Sequence, residues 1–166
     1  MERTTALSRI SSSLNAPKIQ VSEATIHELP CAVGYTKEFR VSWMLTQLNT
    51  FLIVTEMEQV DVPDVRAFTD AAFEYAISNS KGWPRGFQAA IAALPCIVCD
   101  TATDAAKDLV MRTPQKHWSA FELPSIFETA TNRIYTYSST PAWGAVYFGY
   151  FRKLVKTHFS EAAKNG

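Results

Sequence analysis

Residues Ala89–Asp100 read AAIAALPCIVCD, the longest nearly apolar run in the chain. A run without polar alternation, ending in the β-branched pair Ile97-Val98, reads as a strand covered on both faces. Directly after it, Asp100, Thr101 and Thr103 supply N-cap chemistry, and a helical pattern follows over Thr103–Arg112. A central buried strand therefore feeds straight into a helix. Upstream, the alanines of Phe87–Ala93 favour a short helical turn that runs into the strand.

Working outward from this stretch, Asp61 reads as the N-cap of a long helix reaching about Ser78, with Pro63 in its first turn and Asp64 three residues on. Its stripe is Val65, Phe68, Ala72, Tyr75 and Ala76. Before it lie extended segments at Lys18–Ser22 and Ile26–Tyr35. Glu38–Leu45 alternates with period two, and a turn over Thr46–Thr50 leads to its expected hairpin partner, Phe51–Thr55. On the C-terminal side, Ala120–Thr129 and Arg133–Ser138 form another hairpin about Ala130–Asn132. Thr140-Pro141 opens a helix whose apolar stripe runs from Trp143 to His158. The N-terminal segment Thr4–Asn15 is a short amphipathic helix weakened by Ser11-Ser12-Ser13, so residues 1–17 are expected to attach loosely.

The element order is α-βββ-α-(α)-β-α-ββ-α, with no repeat or linker dividing it. This predicts a single α+β domain over 1–166, with a mixed, mostly antiparallel sheet packed against helices. The 166 residues are 47% hydrophobic and 19% charged, the composition of a globular chain able to bury a core. Sixteen basic residues balance sixteen acidic ones, which removes the usual electrostatic case for nucleic acid. No segment has the length and apolarity to cross a bilayer, and the N-terminus lacks a secretory h-region. Three cysteines in a chain of this size suit a reducing cytoplasm.

Several groupings carry possible chemistry. Cys96 and Cys99 form a Cys-x-x-Cys pair. On a strand their thiols point to opposite faces, which favours core cysteines over a redox couple. Joined by His27 and Cys31, they would make a Cys3His zinc set, although Ile97-Val98 is unlike a zinc knuckle. The loop over 78–86 places Lys81 and Arg85 around Trp83. With Glu56 and Asp100 at strand ends, these residues would line a site for a small anionic ligand or a small enzyme's substrate. The last helix carries more aromatic surface than packing on a sheet requires. Trp143, Tyr147, Phe148, Phe151 and Arg152 are expected to form an interface, with Phe148 on an exposed flank. No catalytic constellation or cofactor signature emerges. The sequence thus favours a non-enzymatic cytoplasmic association or adaptor protein, homodimeric or partnered, over the ligand-binding and zinc alternatives.

Overall fold

A computed structural model describes residues 1–39, 46–81, 89–142 and 145–164. Its elements are α1 (Arg3–Ser13), β1 (Gln20–Ile26), β2 (Leu29–Phe39), β3 (Gln47–Val60), α2 (Val62–Asn79), β4 (Ala89–Ala102), α3 (Asp104–Met111), β5 (Ala120–Glu122), β6 (Ser125–Glu128), β7 (Arg133–Thr136) and α4 (Ala145–Leu154). After α4 the chain continues through a π-helical stretch, Val155–Glu161, into a final turn, Ala162–Lys164. The class is α+β, and the described strands make one mixed sheet in the order β1-β2-β3-β4-β6-β7, with β5 beside the start of β4. Antiparallel pairs flank a parallel centre of β3, β4, β5 and β6.

The quoted stretch is the centre of this sheet. β4 is paired along both sides and buried from Ala89 to Cys99. The helical turn expected over Phe87–Ala93 is not formed by its described part, because Ala89–Ala93 is strand. Ladders to β3 and β5 outweigh the helical preference of alanine, and small side chains let helices approach both faces. Pro95 is tolerated mid-strand for a specific reason. Its missing N–H faces the break at Leu123-Pro124, between β5 and β6, where Ser125 Oγ donates to the Pro95 carbonyl at 3.2 Å.

Alternation along β4 divides two cores. Ala92, Leu94, Cys96 and Val98 face α1 and the C-terminal helix, with Leu48, Leu52 and Val54 of β3. Ile91, Ala93, Ile97 and Cys99 face α2 and α3, with Phe51 and Ile53. Both crossovers, β3-α2-β4 and β4-α3-β6, lie on that second face, as parallel connections of one hand progressing in one direction must.

Asp61 caps α2 as the sequence implies, accepting from the Val62 N–H at 2.7 Å, while Asp64 accepts from the Asp61 N–H at 2.9 Å. Thr103 caps α3 and also donates to Asp61 at 2.8 Å, tying the two helix starts together. Those bonds, the Val62 amide first, hold the Asp61 carboxyl below its ordinary range. α3 is fixed by Lys107, whose Nζ lies 2.7 Å from the Glu128 carboxylate. Burial opposes ionisation of Glu128, yet Lys107, Thr131 and the Ala102 N–H outweigh it and keep its pKa below the usual value.

Other expectations change. β3 begins at Gln47, so the supposed turn over Thr46–Thr50 is mostly strand, and Phe51–Thr55 pairs with β2 and β4. Residues 40–45, most of the expected Glu38–Leu45 strand, lie outside the described residues. The N-terminal segment is not loosely attached: Ala6, Ile10 and Leu14 are fully buried. Ser13 Oγ donates to the His158 carbonyl at 2.9 Å, and His158 Nδ1 donates to the Ser13 carbonyl at 3.0 Å.

Candidate functional site

β1 forms one edge of the sheet among the described residues, and β7 the other. It turns into β2 through two residues, His27 and Glu28, with φ of 52° and 61°. Left-handed values at both positions make a type I′ turn, the twist-matched hairpin connection. Such a turn is closed by a doubly hydrogen-bonded pair, here Ile26 and Leu29, and bonded and unbonded pairs alternate from there. The groups of Ala24 and Ser22 therefore point toward β2, whereas the N–H and C=O groups of Val21, Glu23 and Thr25 point outward. Pro30 lies opposite Thr25, so its nitrogen faces β3, and the β2–β3 register begins only at Ala32.

Beside this edge, on the α1 face, lies an open groove of about 530 Å3. Its floor is the cross-strand pair Ala32 and Val54, its far wall Leu7 and Ser11 of α1, and its near rim Glu23 and Thr25. The groove exists because α1 lies over β3 and β4 and leaves β1 and β2 uncovered there. Gly34 sets where the covering chain crosses. A Cβ at that position would sit 3.0 Å from Ile19 Cγ2 and 3.3 Å from Leu14 Cδ2, so only glycine lets the α1–β1 connection lie this close. Past that crossing the sheet face is open.

Where the groove meets the ends of β3 and β4, Arg3 ties two carboxylates together. Its Nε lies 3.2 Å from Glu56, and its Nη1 bonds Asp100, which also accepts from Thr129 Oγ1 at 3.3 Å. Two of the residues singled out from the sequence, Glu56 and Asp100, are thus brought together, by an arginine the sequence did not suggest. Lys81 is not with them. It lies at the opposite end of the sheet and on the other face, lining a separate recess with Tyr35, Phe51 and Tyr75. Trp83 and Arg85 lie outside the described residues, so no assembled 78–86 ligand site can be built from the described part.

The expected interface is also reassigned. Phe148 and Phe151 are fully buried, packed with Phe121 and Tyr147 in one aromatic cluster. Arg152 donates to the Ser139 carbonyl at 2.6 Å. Trp143 lies outside the described residues. The surplus aromatics fill the space between the last helix and the thin, alanine-rich β4, a need that periodicity alone does not reveal.

Neither does the zinc set close. Cys96 faces the α1 core and Cys99 the α2 core, about 10 Å further along the strand. Cys31 shares the second core, while His27 is exposed at the β1–β2 turn. Among the described residues, no three His, Cys, Asp or Glu side chains are grouped to hold a metal ion. Burial pushes the Cys96 and Cys99 thiols up to about 12, and also raises that of Cys31.

The sequence did not flag the edge of β1. Its turn residues are His-Glu rather than Asn-Gly, and Gln20–Ile26 has no clear alternation. Comparison with protein-family models, curated proteins and solved structures finds no match to this chain. No helix among the described residues is long and apolar enough to cross a membrane.

Proposed function

We propose that this is a non-enzymatic association protein that receives an extended segment of a partner at the edge of β1, beside the groove under α1. The observation that carries the reading is the row of outward N–H and C=O groups on Val21, Glu23 and Thr25. A seven-residue edge whose outward backbone groups have no partner among the described residues is a template for strand addition, and natural sheets usually blunt such an edge with charge, lysine above all, with a proline or with a bulge. β1 has no lysine, proline or bulge, and its one charge is Glu23. Association through the last helix loses its support, because Phe148 and Phe151 belong to the core. Three free, buried cysteines favour a reducing compartment such as the cytoplasm.

The test is selection of binders from a random dodecapeptide library displayed on phage, followed by rebinding to Glu23→Pro and Thr25→Pro. Proline at either position removes an outward N–H and leaves the β1–β2 ladder intact. Enriched peptides should lose binding to both variants. Peptides indifferent to both prolines, or no enrichment at all, would overturn the reading.

A further inference from the structure

Resting on that reading, we infer that the incoming strand is cationic on the face it turns toward α1, with a lysine or arginine set beside Glu23, and that it is not a second copy of β1. The side chains of Val21, Glu23 and Thr25 stand on the α1 face, since Val21 and Glu23 lie opposite Gly34 and Ala32, which in turn pair with Leu52 and Val54 of the α1 core. Alternate side chains of an added strand would stand on that face, next to Glu23. Glu23 is exposed, and among the described residues it has no ion pair and no basic side chain lines the groove. Arg3, where the groove meets β3 and β4, is already held by Glu56 and Asp100.

Room and chemistry then agree. Across the ladder from Glu23 stands Ala32, whose small side chain leaves the α1 face open there, so a lysine or arginine on the added strand can lay its charged head against the carboxylate. Opposite charges on neighbouring strands stabilise a pair and like charges oppose it.

The same rule disfavours self-pairing. Antiparallel pairing of β1 with its own copy over the whole of Gln20–Ile26 sets Glu23 directly against Glu23 of the copy. Any shifted register that separates them shortens the ladder. Nor does QVSEATI hold a cation to offer.

The experiment uses two fluorescein-labelled, end-capped decapeptides, one alternating valine and lysine, the other valine and glutamate. Each is titrated by fluorescence anisotropy at 150 mM salt with the wild-type chain, Thr25→Pro and Glu23→Lys. The lysine peptide should bind the wild type about tenfold tighter than the glutamate peptide. Thr25→Pro should lose about tenfold, and Glu23→Lys should reverse the preference between the peptides. Glu23→Lys changes an exposed side chain, so it reports even if the proline variant folds poorly. Equal binding of both peptides, still lost in Thr25→Pro, would overturn the charge assignment and leave the edge reading standing. Lysine-peptide binding unchanged in both variants would overturn both, and so would a failure of both peptides to bind. A dimer of the free wild-type chain that Glu23→Lys strengthens or leaves intact, and Thr25→Pro abolishes, would identify the second copy as occupant and overturn this inference.

Discussion

Cys96 and Cys99 are three residues apart, and on a strand an odd spacing sends two side chains to opposite faces. Each thiol therefore sits in a different core, fully buried. Burial disfavours the thiolate, the only form that attacks disulfides or binds metal, which explains why both titrate near 12. At pH 8 the native protein should leave all three cysteines unmodified by a disulfide reagent over the time in which a free thiol reacts completely. Unfolding in guanidinium should release three. Rapid labelling of one cysteine in the native state would contradict its assignment to the core. Here the sequence reading and the structure agree, because strand parity is a local property.

At the scale of the element, the last helix is the instructive case. Its stripe was legible only in part: Phe151 and Val155 are buried as spacing implies, Val146 is exposed, and Phe148 and Phe159, off the expected stripe, complete that side of the α1 core. What spacing left open was the width of that side. β4 presents Ala90 and Ala92 to the helix, so large rings are needed to fill the gap, and Phe148 turns inward toward Phe121, with ring centres 6.2 Å apart. Phe148→Ala should accordingly cost about 3–5 kcal/mol in urea unfolding, the range for emptying a buried phenylalanine. A loss under 1 kcal/mol would return Phe148 to the surface. The β1–β2 hairpin is the opposite case. Its turn came from backbone conformations that His27 and Glu28 adopt without a glycine, a choice that no residue type announced.

Across the whole molecule, the two ends of the chain are joined. α1 is pinned to the C-terminal segment by the paired Ser13–His158 bonds and by Arg9, which donates to the Ala163 carbonyl at 3.3 Å. The His158 ring donates through Nδ1, and burial lowers its pKa below the ordinary 6.5. The unfolded chain therefore takes up this proton more readily than the folded one. The stabilisation is fully present above pH 6.5 and is lost as the pH falls through the depressed folded value. The urea midpoint should drop between pH 7 and pH 5, and His158→Gln should flatten part of that slope. An identical slope in the variant would show that His158 does not carry it.

The sequence by itself determined what local chemistry can determine: the caps at Asp61 and Thr103, the buried run of β4, the apolar stripe of α2 and the α+β class. Each depends on residues a few positions apart, within one turn or one pleat. Tertiary structure decided the rest. It made Ala89–Ala93 strand, because neighbours on both sides supplied the ladder that alanine does not demand. It put Glu56 and Asp100 under one arginine from α1, 53 and 97 residues away in the chain. It left β1 without a second neighbour among the described residues, and Gly34 sets where α1 and its connection cross the face beside that edge. Those outcomes depend on which surfaces meet, and periodicity specifies a face without naming its partner.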